Sequence, residues 1–139
     1  MPTDFLATYP ALRAMQAVAL FSDLGYHFTD AGDGWAEITF VATDRANNVY
    51  GIVHGGVWLV LADSAMGGAL GTVCDPAERV ITTQADFRWL RALAGDTIRA
   101  RGRVIRRGRS VSHCAVDLFD SAGVQVGAGS GTYVVLPPA

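Results

Sequence analysis

Three groups of residues near the middle of this chain have the types and spacing to do chemistry together. Asp63 stands in the run Leu61-Ala62-Asp63-Ser64-Ala65, a carboxylate among apolar neighbours. Acids are rarely buried unless they are paired or useful. One helical turn to either side lie Leu59, Val60, Met66 and Gly67, none of them a cation. Such a carboxylate is a candidate general base or nucleophile, or else a structural acid satisfied by hydrogen bonds. Upstream, Gly55 and Gly56 follow His54 where an apolar helix would begin. The first N–H groups of a helix lack intrahelical acceptors and sit at the positive end of its dipole. Glycine lets a ligand oxygen approach that backbone, as an oxyanion hole requires, or it serves a tight turn. Asn48, six residues before His54, carries an amide able to hold a water or a carbonyl, while Asn47 reads as a turn residue. His54 either polarises a carbonyl or braces the loop.

Other candidates fall away on chemistry. Ser64 lacks the Gly-x-Ser-x-Gly surroundings of a nucleophile elbow. Gly127-Ala128-Gly129-Ser130-Gly131 resembles a phosphate loop, but the chain contains no lysine, so the stripe reads as a glycine-softened strand near another backbone. Two cysteines, Cys74 and Cys114, and three histidines fit neither a disulfide framework nor a zinc pattern. Both thiols read as buried small side chains in a reducing compartment, and no metal is expected. His27 and His113 read as ordinary strand residues.

These groups need a frame. The chain has 139 residues, half of them hydrophobic, which suits a single domain with one real core. The spacing Leu12, Met15, Ala19 predicts one short amphipathic helix over 12–20, with Pro10 at its start. Gly25–Thr29 and Trp35–Val41 read as strands joined by a loop over 30–34. The stretch Ile52–Cys74 is apolar on nearly every side and ends before Pro76. Asp63 at its centre and five glycines argue for a buried helix rather than a membrane span. Arg79–Arg91, Asp96–Arg107, Ser110–Asp120 and Val124–Leu136 follow as strands. In the second of these, Ile98, Ala100, Gly102 and Val104 alternate with Arg99, Arg101 and Arg103, an inner and an outer face. A curled antiparallel sheet around one central helix accommodates that order.

The net charge is −2, unevenly spread. Eight of the eleven arginines lie between Arg88 and Arg109 with one acid, Asp96, for a local charge of +7; the rest of the chain carries −9. Such a strip suits a local anionic partner rather than nucleic acid, or else a solvated sheet face. No charged-then-apolar leader opens the sequence, so a cytoplasmic protein is expected, without membrane association.

The joint spacing of Asn48, Gly51, His54-Gly55-Gly56 and Leu61-Ala62-Asp63 resembles the hotdog-fold thioesterases, specifically the phenylacetic-acid-degradation type. Phe21, Leu24-Gly25 and Gly34 upstream are similar to that pattern. So are Thr82, Phe87 and the Arg107-Gly108-Arg109 turn downstream, and the likeness covers about residues 20–136. It implies an α+β hotdog domain over 1–139, with residues 1–20 a helical extension. The implied activity is hydrolysis of an aryl or medium-chain acyl-CoA to the free acid and coenzyme A. Asp63 would be base or nucleophile, Gly55 the oxyanion donor, and Asn48, His54 and Thr82 supporting groups; the Thr82 alignment could slip to Thr83. No cofactor is implied beyond the coenzyme A within the substrate. For binding, Gly56 and the turn Arg106-Arg107-Gly108-Arg109 are candidates for the coenzyme, while Trp58, Met66, Phe87 and Trp89 either line the acyl pocket or are simple core. The likeness further implies a homodimer with shared sites, often doubled to a tetramer. The rival readings are a hydroxyacyl-thioester dehydratase, whose motifs are absent, and a non-catalytic acyl-CoA-binding module, which would not need Asp63.

Overall fold

The arginine alternation of residues 97–106 becomes the two faces of a strand at the middle of the sheet. The computed structural model describes residues 4–139. Three short helices, α1 (Phe5–Thr8), α2 (Pro10–Gln16) and α3 (Ala19–Leu24), precede strands β1 (Tyr26–Gly32) and β2 (Trp35–Val41). The long helix α4 (Gly55–Gly71) follows, then β3 (Arg79–Trp89), β4 (Thr97–Arg106), β5 (Val111–Phe119) and β6 (Gln125–Leu136). The six strands form one antiparallel sheet in the order β1-β2-β4-β5-β6-β3. The sheet curls around α4.

The inner residues of β4, Ile98 and Ala100, are fully buried, as are Leu61, Ala62, Ala65, Met66, Ala69 and Leu70 of α4. Two glycines set how closely these layers approach. A Cβ on Gly102 would overlap the Ala65 carbonyl, so the helix backbone rests directly on β4. A Cβ on Gly68 would meet the Phe28 ring at 2.8 Å. The outer face of β4 is a charge lattice. Arg103 bonds Asp117 at 2.9 Å, Arg99 bonds Glu37 at 3.4 Å, and Arg101 stacks on Trp35 at 4.3 Å.

The expected single helix over 12–20 is instead two helices, α2 and α3, with α1 before them. Val18 is extended (φ −75°, ψ 146°) and breaks the run, a turn that neither alanine nor valine announces. Gly25, at φ 75°, ends α3, so β1 starts at Tyr26. β1 then continues to Gly32, because Asp33-Gly34 alone makes the turn. Helix α4 starts at Gly55 rather than Ile52 and stops at Gly71 rather than Cys74. Among the described residues no helix is long and apolar enough to cross a membrane.

The wrapping of α4 is incomplete. Leu59 remains 37% exposed, and β3, next to it, is an edge strand of eleven residues. That edge carries a bulge between Thr82 and Gln84, which turns Thr82 inward toward α4 while Thr83 bonds the Thr132 carbonyl at 3.0 Å.

Candidate active site

The start of α4 is braced by its own neighbours. His54 is the N-cap, and its Nδ1 accepts the Gly56 N–H at 2.8 Å. The ring proton therefore sits on Nε2. The Trp89 indole donates to the Gly55 carbonyl at 3.1 Å, anchoring the first turn to the end of β3. The Gly55 N–H has no acceptor within the described residues. Neither turn geometry nor packing demands glycine there: its φ is not positive, and a Cβ would stand 3.6 Å from the Trp89 ring, an ordinary contact. Asn48 lies close by. Its Oδ1 accepts the Tyr50 N–H at 2.9 Å and its backbone N–H donates to the Ile52 carbonyl at 2.8 Å, closing the loop. Asn48, Gly55, Trp58, Trp89 and Leu90 line one cavity of about 340 Å³.

Asp63 stands two turns further along α4, half-buried. Its Oδ1 accepts two hydroxyls at 2.8 Å, Thr82 Oγ1 from β3 and Tyr133 Oη from β6. Thr82 and Tyr133 are direct register partners, so two neighbouring strands deliver both donors to one oxygen. The Tyr133 hydroxyl also reaches the Asp63 carbonyl at 3.2 Å. Burial, with the Asp63 charge beside it, pushes the Tyr133 phenol far above its usual range, so it remains a donor at any working pH. Among the described residues Asp63 is thus free of cations, as its helical neighbours imply, but not unpaired. It borders two openings. One, of about 360 Å³, runs under α2 past Ala14, Gly67 and Val80. The other, of about 460 Å³, lies between α4 and β3 and also touches Gly56, Leu59 and Thr82.

Several expected binding residues have other work. The Gly56 N–H is taken by His54, although Gly56 borders the opening beside Asp63. Met66 is fully buried and packs in the core rather than in an acyl pocket, because its helical position faces the sheet. Phe87 is likewise buried over the glycines of β6, whereas Trp58 and Trp89 do line a cavity. Arg107 is tied to Glu78 at 3.5 Å and to the carbonyls of Gly108 and Arg109, so it holds its own turn. Gly108 is required by the same turn, since a Cβ would overlap the Val111 carbonyl. Arg106 and Arg109 are exposed and make no ion pair within the described residues. Tyr133 was absent from the candidates. Its signal was parity: it shares the inward face of β6 with Gly129 and Gly131, whose missing side chains leave space for rings.

Residues 50–126 match the family described as the thioesterase superfamily. This chain belongs to the thioesterase superfamily. Its match to the 1,4-dihydroxy-2-naphthoyl-CoA hydrolase of Escherichia coli is 26% identical over 117 residues, 84% of this chain and 85% of that one. Its fold superposes on the E. coli PaaI protein of the phenylacetic acid degradation operon with a TM-score of 0.86 at 22% identity, covering 95% of both chains. A thioesterase protein of Streptococcus pneumoniae, solved with coenzyme A, gives a TM-score of 0.77 at 23% identity over 85% of this chain and 91% of that one. The fold is thus the hotdog fold, of the PaaI-like type that the motif spacing resembles. As a superfamily member the chain is a thioester hydrolase, and the Asp63 carboxylate lies on the central helix of that fold.

Proposed function

We propose that this thioesterase hydrolyses an acyl-CoA, with Asp63 as the reacting carboxylate. The carrying observation is a carboxylate that lines two open cavities with one oxygen saturated by two hydroxyls and the other, Oδ2, unengaged. As general base, Oδ2 takes a proton from water while the resulting hydroxide attacks the thioester carbonyl carbon. As nucleophile, Oδ2 attacks that carbon itself, and water then cleaves the mixed anhydride. In both routes the carbonyl oxygen gains negative charge. The unpartnered Gly55 N–H at the positive end of α4 is the donor to receive it. Asn48 lines the same cavity and is the supporting amide, with His54 holding the turn. The C–S bond then breaks, and the coenzyme A thiolate leaves and takes up a proton. Coenzyme A is half of the substrate, and the scheme uses no separate cofactor. Support for a CoA thioester comes from the names of the E. coli hydrolase and of the pneumococcal complex. Arg106 and Arg109 are the exposed cations left to meet the coenzyme's phosphates.

The same scheme calls for a second copy of the chain. Eight residues separate Gly55 from Asp63, about 12 Å along a straight helix. Both must reach one carbonyl group, within about 3–3.5 Å of the reacting atoms. Two antiparallel copies of α4 would bring Gly55 of one chain to Asp63 of the other. The uncovered Leu59 face and the long open edge of β3 support that pairing. A two-fold dimer then carries two equivalent sites, and pairing of dimers gives a tetramer.

Thiol release from a panel of acyl-CoAs, including phenylacetyl-CoA, tests the activity. Release from at least one that is lost in Asp63→Asn is the expected result; release from none overturns the reading. Mixing Asp63→Ala with Gly55→Pro protomers, the second lacking the N–H, tests the sharing. Two individually inactive variants should regain activity together, because one site of a mixed dimer is intact. Mixed dimers that form and stay inactive would refute it.

A further inference from the structure

The glycine stripe of the last strand was singled out by its sequence and is not used by the scheme above. Its residues face inward at alternate positions. A Cβ on Gly131 would stand 3.0 Å from the Tyr133 ring and 3.2 Å from the Met66 methyl. A Cβ on Gly129 would overlap the Asp86 carbonyl and crowd Phe87, and one on Gly127 would run into the Phe87 ring. The stripe therefore lets two aromatic rings lie along the strand instead of standing on it. For Tyr133 the consequence is reach: a ring laid over Gly131 carries its hydroxyl to the underside of α4, to Oδ1 and the carbonyl of the same residue.

We propose that Tyr133 is a positioning residue for Asp63, occupying Oδ1 so that Oδ2 alone takes the proton or attacks. The role rests on the hydrolytic reading of Asp63. A carboxylate held on one oxygen by a single rotatable threonine hydroxyl could turn and present either oxygen. With a second donor from a neighbouring strand, itself fixed by a fully packed ring, that rotation costs two bonds. Tyr133 is 1% exposed, whereas Thr82 is exposed at the cavity edge and can trade its bond for one with water. The two donors are therefore not equivalent: Thr82 is exchangeable and Tyr133 is permanent. Few other ionisable groups complicate the pair. Glu78 lines the same opening and is bound to Arg107, Cys114 lies on β5 behind the Tyr133 ring, and α2 offers only Ala11, Ala14 and Met15 there. Among the described residues the opening on the β3 side holds no other titratable group.

Tyr133→Phe keeps the ring and removes the hydroxyl. A carboxylate that loses a hydrogen bond holds its proton more tightly. We expect kcat to fall about tenfold with KM within about twofold, and the acidic limb of the kcat/KM profile to move to higher pH. A lost kcat with an unmoved limb would mean a packing effect and overturn the proposal, as would no change in either. Incorporating 3-fluorotyrosine at 133, a more acidic donor of nearly the same shape, should move the limb the opposite way, and it serves if the phenylalanine variant folds poorly. The same displacement should appear in the 13C titration of the Asp63 carboxyl carbon without any substrate. That measurement separates the two ideas. A wild-type protein that hydrolyses no acyl-CoA overturns the function, while a carboxyl titration that ignores Tyr133→Phe overturns the clamp.

Discussion

The two halves of the proposed site are built by different kinds of bond. Around Gly55, the side-chain bonds of Asn48 and His54 span two to four residues: Asn48 to Tyr50 and Ile52, and His54 to Gly56. Around Asp63 the partners are 19 and 70 residues away, brought by the register of β3 against β6. The first half is mainly a local loop, pinned to the end of β3 by the Trp89 indole on the Gly55 carbonyl. The second exists only when the sheet is complete. An oxyanion donor needs a backbone N–H with nothing in front of it, which a local turn can supply. A reactive carboxylate needs partners with fixed directions, and only packed strands supply those.

The sharpest way to break this comparison is Asp63→Asn. The amide oxygen still accepts from Thr82 and Tyr133, so the fold should hold while turnover falls about 10²–10⁴-fold, read by thiol release. The Gly55 N–H is the target in the local half. Alanine would keep the N–H, so the variant to make is Gly55→Pro: proline suits the first helical position after the extended His54 and removes the N–H, so the helix should hold while kcat drops by up to about 10²–10³-fold if that N–H receives the oxyanion. Removing Arg106 or Arg109 should raise KM for acyl-CoA a few-fold, roughly 1 kcal/mol or less each for solvated cations, and leave a thioester without the nucleotide unaffected. Arg107→Ala should instead lower the melting temperature, because it frees Glu78 and the turn. His54→Ala removes a helix cap and should cost about 1 kcal/mol of stability in denaturant titration, with a smaller change in kcat than Gly55→Pro.

The least visible difference is in alkali. Burial raises the phenols of Tyr26 and Tyr133 above their ordinary value of 10. Below that value both folded and unfolded chains keep the protons, and stability is indifferent. Above it the unfolded chain binds fewer protons than the folded one, so stability falls as pH rises. Melting temperature should therefore decline above about pH 10, and less steeply in Tyr133→Phe. Cys114, buried and pushed up to about 12, should not react with a chromogenic disulfide at neutral pH until the protein unfolds.

The same contrast explains what could be read from residue types. Helix α4 and the arginine face of β4 show in their periodicity, because each pattern is carried by a continuous stretch. The spacing of Asn48 and His54 was legible because their side-chain bonds close within a few residues. Tyr133 was not, since its place depends on which residue of β3 lies opposite, and the bulge after Thr82 shifts that count. Arg107 looked free because its acid, Glu78, is 29 residues away. The break at Val18 was hidden because alanine and valine do not mark a turn.

Gly102 acts as a thickness gauge for the whole domain. Because the helix lies with its Ala65 carbonyl against bare backbone, the height of α4 above the sheet is set on β4, two strands away from β6 and three from β3. Hydrogen bonds of 2.8 Å tolerate a few tenths of an ångström before they weaken. A single methyl at position 102 would lift the helix by more than that and part Asp63 from both hydroxyls together. The domain thus has a shim as well as a site: its calibration rests on an atom that is missing, on a strand that touches no substrate.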